Sequence, residues 1–173
     1  MNDTAMSIVA IFLAAILMFI FPLMSTADRT DDISQQAVQT ATTEFVDNIR
    51  STGKITQDKY DSFVSTIAET GNSYDVEIEA QKLDETSRKK KQIASQSKVG
   101  ENNYYSEYTS QIESELGSNG EYDLKEGDLI SVTVKNTNKT ISQILKNFFY
   151  SVTGNNTYNI AAQHSGIVNV NAK

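Results

Sequence analysis

AMSIVAIFLAAILMFIFPLM occupies residues 5–24, and STADRTDDISQQAVQTATTEFVDNIRS follows directly as residues 25–51. The first piece carries no charge, and Ser7 is its one clearly polar residue. At about 1.5 Å per helical residue it is long enough to cross a hydrocarbon core of about 30 Å. The second piece is polar but periodic. Ile33, Ala37, Ala41, Phe45 and Ile49 recur every four residues, and Val38 and Val46 widen the stripe. Asp31, Asp32, Gln35, Gln39, Thr43, Asp47 and Asn48 occupy the rest of the circumference. That pattern predicts an amphipathic helix with one face toward a core. No glycine interrupts residues 5–51, and Gly53 is a natural C-cap. Together the pieces predict one helix on the order of 70 Å long, apolar all round in its first half and one-sided in its second. Pro22 deletes a backbone donor inside it and predicts a kink or a local opening.

Beyond Gly53 the signals are shorter. Thr56 as N-cap, followed by Tyr60, Phe63, Val64, Ile67 and Ala68, predicts a second helix closed by Gly71-Asn72, with residues 51–55 as a tight connection. Tyr74, Val76, Ile78 and Ala80 alternate with Asp75, Glu77 and Glu79, a strand with one buried and one acidic face. Residues 82–103 hold no pattern and read as a long exposed loop. Tyr104, Tyr105, Tyr108, Ile112 and Leu116 fit a helical stripe, so 104–116 is expected to be helical. Ile130, Val132 and Val134 mark a second strand. Ile141, Ile144, Leu145, Phe148, Phe149 and Val152 mark a short helix capped by Asn138 or Thr140. Tyr158, Ile160, Ala162 and His164 mark a last strand, continued by Ile167, Val168 and Val170, with Gly166 as a bulge or kink.

The expected fold class is α+β: a long N-terminal helix bearing a small globular head with a three- or four-stranded, mainly antiparallel sheet. The expected divisions are residues 1–24, an apolar transmembrane or filament-core helix; residues 25–52, its amphipathic continuation; and residues 53–173, the head. The membrane reading prefers a retained helix to a cleaved signal peptide, because the apolar run exceeds a typical h-region and no basic residue precedes it. A short inner N-terminus with the head outside is the preferred orientation.

Composition narrows the function classes. Fifteen basic and 22 acidic residues give a formal net charge of −7 in 173 residues, against a nucleic-acid partner. Cysteine is absent and His164 is the single histidine, so no thiolate site and no histidine cluster can form. His164 reads as a structural strand residue. Asp28, Asp31 and Asp32 lack the spacing of a calcium loop and read as solvating the helix at the membrane exit. The glycines form no phosphate loop. No catalytic, cofactor-binding or metal residue is therefore assigned, and an enzyme is not expected. The residues with an assembly role are Ile8, Ile11, Phe12, Ala15, Phe19 and Pro22, as a subunit-packing face of the apolar helix. Ile33, Ala37, Ala41, Phe45 and Ile49 are expected to pack helix against head. Arg88, Lys89, Lys90 and Lys91 are a candidate electrostatic docking patch for anionic lipid, polymer or an acidic neighbour. Tyr104, Tyr105 and Tyr108 read as ordinary packing, with a sugar platform as the alternative.

The segment MSIVAIFLAAILMFIFPLMSTADRTDDISQQAVQTATTEFVDNIRSTGKITQDKYDSFVSTI resembles the N-terminal region of the TadE-like pilins and pseudopilins of tight-adherence systems, particularly those of Gram-positive anaerobes. The similar features are the uncharged span, the small residues at Gln36-Ala37 and Thr40-Ala41, and the step Gly53, Ile55, Thr56, Tyr60. Ala5 departs from the family pattern, which places Glu at the fifth mature position; Asp3 is the nearest acid. The resemblance implies a structural subunit of a type IV surface filament, assembled through the apolar helix. Its partners would be copies of itself or sister pilins, the membrane before assembly, and the pilus assembly machinery. The alternative is a single-pass membrane-anchored extracellular binding module, or a minor pseudopilin or assembly factor of a secretion or conjugation machine.

Overall fold

A computed structural model describes residues 2–83, 104–150 and 160–172. The candidate basic patch Arg88–Lys91 and the turn expected at residues 154–156 lie outside the described residues. Helix α1 runs unbroken from Asn2 to Thr52, through Pro22. It is followed by β1 (Lys54–Thr56), α2 (Gln57–Ala68), β2 (Tyr74–Leu83), β3 (Tyr104–Tyr108), α3 (Thr109–Asn119), β4 (Glu121–Asp123), β5 (Leu129–Asn136), α4 (Ile141–Tyr150) and β6 (Ala161–Ile167). Four strands form an antiparallel sheet in the order β3-β2-β5-β6, and β1 and β4 form a separate two-stranded ribbon. The fold is α+β, with the long helix and the antiparallel sheet that the sequence predicts.

The head is built against the second half of α1. Val76, Ile78 and Ala80 of β2 stand opposite Val134, Val132 and Ile130 of β5, and Val134 stands opposite Ala162 of β6. Period-two alternation turns this row toward α1 and leaves Asp75, Glu77 and Glu79 on the outer face. On α1 the buried row is Ser34, Val38, Ala41, Thr42, Phe45, Val46 and Ile49. Phe45 stacks on Phe63 of α2 at 4.4 Å between ring centroids. The ribbon adds Ile55 and Tyr122, both fully buried. The Tyr122 hydroxyl donates to Glu107 Oε2 at 2.5 Å, and Lys82 Nζ lies 4.1 Å from its ring centroid. Burial, reinforced by the bond to Glu107, pushes the Tyr122 hydroxyl far above its ordinary value.

Several expectations need correction. Ile33 and Ala37 do not pack against the head: both are exposed, Ile33 at 62%. A strict four-residue step advances about 40° beyond a full turn, so the row from Ile49 back to Ile33 has rotated about 160° around the helix. The face that stays on the core mixes steps of three and four, as in Ser34, Val38, Ala41 and Phe45. Tyr104–Tyr108 is a strand, not the start of a helix. It pairs with Glu79–Leu83 at the free edge of β2, where backbone bonding and the strand preference of tyrosine prevail over side-chain spacing. β2 itself extends through Lys82 and Leu83, which the loop reading excluded. The ribbon strands β1 and β4 went unread because three residues are too few to display a period. Gly166 is no bulge, since the β5–β6 register continues through it. A Cβ there would sit 2.5 Å from the Arg50 side chain, whose Nε donates to the Ile167 carbonyl at 3.1 Å, so a larger residue would have to move Arg50 aside.

Gly53 ends α1 with φ at +73°, its N–H donating to the Ile49 carbonyl at 2.8 Å. Its carbonyl accepts from Leu124 at 2.8 Å, and a Cβ would lie 2.6 Å from the Val170 carbonyl oxygen. Gly53→Ala therefore combines a left-handed backbone with a backbone collision, and is expected to destabilise the protein by about 2–3 kcal/mol. Gly117→Ala, in α3 with open space around it, is expected to be neutral or slightly stabilising. Urea unfolding of the full chain in detergent, followed by circular dichroism, compares the two.

Candidate membrane-anchoring and assembly surface

Helix α1 is long and apolar enough to cross a membrane, and its apolar window has no residue buried within the molecule. From Met6 to Leu23, eleven large apolar side chains are exposed: Met6, Ile8, Val9, Ile11, Phe12, Leu13, Ile16, Met18, Phe19, Phe21 and Leu23. Leaving them in water would cost on the order of 20–30 kcal/mol, well above the 5–15 kcal/mol that holds a typical domain together. Lipid or protein must therefore cover this half of the helix. Pro22 lacks the N–H that would reach the Met18 carbonyl. The Thr26 hydroxyl donates to the Pro22 carbonyl at 2.9 Å, and Thr30 repeats the pattern on Thr26 at 3.0 Å. Such back-bonding often bends helices.

The head covers only one side of α1. At about 100° per residue, Ile8, Ile11, Phe12, Ala15, Phe19 and Pro22 fall within an arc of about 100°. Ile33 and Ala37 continue that arc past the apolar segment. The sector buried by the head, from Ser34 through Val38, Thr42 and Val46, lies away from it. The helix thus presents an uncovered stripe along almost its full length, with small residues at Ala15 and Ala37 and large ones at Ile8, Phe12, Phe19 and Ile33. Alternation of small and large side chains suits close helix–helix approach.

Where α1 leaves the apolar segment it is held by three polar side chains that point to the head. Ser142 Oγ donates to Asp28 Oδ1, and Lys146 Nζ lies 2.6 Å from the same oxygen. Thr140 Oγ1 donates to Asp31 Oδ2 at 2.6 Å. Gln35 completes the edge of β6 with its side-chain amide, donating to the Ala161 carbonyl at 2.6 Å and accepting from the Ala161 N–H at 2.9 Å. Asp28 and Asp31 thus dock α4, whereas the sequence reading gave them only to solvation. The start of α4 itself has a local signal: Thr140-x-x-Gln143 is a capping-box spacing, and in the structure each of these side chains bonds the other's backbone N–H at 3.2 Å. The Lys146 ammonium, and then the Ser142 hydroxyl, hold the Asp28 carboxyl below its ordinary value.

His164 faces α1, with Nε2 3.8 Å from Asp47 Oδ1. Tyr104, Tyr105 and Tyr108, expected as packing residues, instead stand exposed on the edge strand. Tyr108 borders an open groove of about 630 Å³ on the outer face of the sheet, together with Glu77, Glu79, Thr109 and Glu113. Of its carboxylates, Glu77 pairs with Lys135 at 3.0 Å, Glu79 accepts from Ser106 at 2.8 Å and Glu113 accepts from the Tyr60 hydroxyl at 2.6 Å, and Asp75 also lines it. Among the described residues, no three His, Cys, Asp or Glu side chains are grouped to hold a metal. Comparison with protein-family models, curated proteins and solved structures finds no match to the chain.

Because the Asp28 carboxyl is depressed in the folded state, its contribution to docking α4 is complete above the ordinary value of 3.8 and is lost as pH falls through its folded value. Amide hydrogen exchange over residues 141–147 is expected to be unchanged from pH 7 down to about 5 once corrected for intrinsic rates. In Asp28→Asn, which keeps a polar group but loses the charge pairing with Lys146, the same peptide should exchange faster at pH 7.

Proposed function

We propose that the chain is a structural, pilin-like subunit of a type IV surface filament, anchored in the membrane by residues 5–24 of α1 before assembly and packed against copies or sister subunits through α1 afterwards. One observation carries this reading: a single helix whose first half is exposed and apolar, whose second half is the spine of the head, and whose uncovered stripe runs from one half into the other. A simple tether needs an apolar span, but it has no use for Ile33 and Ala37 bare on the same stripe beyond the membrane. A filament core needs both. The resemblance of residues 6–67 to TadE-like pilins supports the same reading, and implies a bacterial cell surface with the head outside. Pro22, with Thr26 back-bonded to its carbonyl, lies where such a helix can flex as it passes from bilayer to filament.

The alternative, a membrane-anchored binding module, would place its ligand in the groove along β2 and α3.

Electron microscopy of material sheared from producing cells, with mass spectrometry of the same fraction, tests the proposal. Filaments containing this chain are expected; its retention in the membrane fraction with no filament containing it would favour the tethered module. Ile33→Glu sharpens the test. At an exposed position it should alter folding stability by no more than about 0.5 kcal/mol, yet filaments should be lost or much reduced. Pro22→Ala is expected to lower filament yield while leaving membrane insertion intact, and unchanged yield would remove the flex-point role of Pro22.

A further inference from the structure

The groove on the outer face of the sheet is unbalanced in charge. Asp75, Glu77, Glu79 and Glu113 line it, and among the described residues no lysine or arginine does. Lys135 reaches in from β5 to pair with Glu77 at 3.0 Å. The other donors among the described residues are neutral: Ser106 and Gln81 bond Glu79, and the Tyr60 hydroxyl bonds Glu113. A neutral donor fixes a carboxylate oxygen but leaves its charge in place. Four carboxylates therefore face one ammonium, and Asp75, Glu77 and Glu113 are exposed. Such a surface is complementary to a cationic segment.

The chain itself carries one. Residues 84–103 hold Arg88, Lys89, Lys90, Lys91 and Lys98 against Asp84, Glu85 and Glu101, a positive surplus in an otherwise acidic protein. Where that segment leaves the head is set by its flanks, because Leu83 and Tyr104 pair directly at the end of β2. The axis of the head follows from β6. Gln35 bonds its first residue, Ala161, and Arg50 bonds its last, Ile167. Gln35 to Arg50 is about 22 Å of helix, and Ala161 to Ile167 about 20 Å of strand, so β6 runs alongside α1 in the same direction. β5 is antiparallel to β6 and β2 antiparallel to β5, so β2 also follows α1. Asp75 thus lies at the end of the head nearer the apolar half of α1. Leu83 and Tyr104 lie at the far end, about 26 Å away along the strand. The acidic groove and the exit of the basic segment occupy opposite ends of the head.

We infer that the groove is the docking site for residues 88–91 of a second copy of this chain, the copy displaced along α1 toward the apolar half. This rests on the filament reading of the proposed function and adds a head-to-head contact to the packing of α1. Subunits aligned through their α1 helices are displaced from one another along that axis, so the far end of one head is brought to the near end of the next. The contact joins two different surfaces. It is therefore heterologous and propagates from copy to copy, whereas a contact between identical surfaces would stop at a dimer. It also offsets the repulsion between copies that each carry a formal charge of −7. Being ionic and at the surface, it weakens as salt rises.

Zero-length carbodiimide crosslinking reads this contact in the unmodified full-length chain, since it joins a lysine to a carboxylate only where the two touch. Filaments are sheared from cells whose subunit pool mixes unlabelled and nitrogen-15-labelled chain, crosslinked, and analysed by mass spectrometry of the linked peptides. The expected products join Lys89, Lys90 or Lys91 to Asp75, Glu77, Glu79 or Glu113. Their two halves should differ in isotope in about half of the pairs at equal labelling, and several-fold fewer should form when crosslinking is done at high salt. Linked halves that always share one isotope would place the basic run on the groove of its own chain and overturn the inference. Groove carboxylates linked to peptides of another protein would assign the groove to that partner and also overturn it. Filaments that contain the chain but yield no such link would overturn the inference and leave the filament reading standing. Absence of the chain from any filament would remove that reading, and the inference with it.

Discussion

Continuity of the α1 backbone is the constraint on which the molecule depends. A helix cannot change its axis or phase without breaking hydrogen bonds, so the face chosen by the head at Val38–Ile49 also sets which way the side chains of residues 5–24 point. The head takes one sector of the helix and leaves the opposite one bare. Ile33 and Ala37, exposed just beyond the apolar segment, belong to the same bare sector as Ile8, Phe12 and Phe19. The orientation of the head and the sector of α1 left bare are thus one decision, taken where α1 meets the sheet.

The rest of the head reads as a means of holding that phase. The C-terminal segment closes over the end of α1, with Asn169 donating to the Arg50 carbonyl and Ala172 to the Leu124 carbonyl. At Gly53 the backbone comes too close to admit a side chain, and at Gly166 one would displace Arg50. At the other end, Asp28, Asp31 and Gln35 tie α4 and β6 to α1 over two turns of helix. Between these clamps the apolar row supplies most of the stabilisation, with each fully buried isoleucine contributing about 1.5–3 kcal/mol. The clamps add less energy but remove the freedom of the head to roll around the helix.

Much of this was legible in the residues. The charge-free run, the periodicity to Ile49 and the cap at Gly53 yield α1, because long periodic signals average out local exceptions. The alternations at Tyr74–Ala80 and Ile130–Val134 yield the two central strands. What escaped was short or depended on partners distant in sequence. The ribbon strands exist because Lys54–Thr56 meets Glu121–Asp123, and Tyr104–Tyr108 is a strand because β2 offers it an edge. The rotation of Ile33 and Ala37 off the core was available from helical geometry, since a strict four-residue repeat drifts. Asp28 and Asp31 looked like solvated acids because their partners lie more than a hundred positions away in the chain.

Disulfide scanning along α1 in assembled material tests the central claim most directly. With single cysteines placed in turn at Phe12, Phe19, Ile33 and Ala37, and at Leu13, Met24 and Asp32 off the stripe, the account predicts crosslinked dimers at the first four and few at the others. Crosslinks spread evenly around the helix, or confined to residues 5–24 with none at Ile33 and Ala37, would contradict a packing face that runs from the apolar half into the head-bearing half.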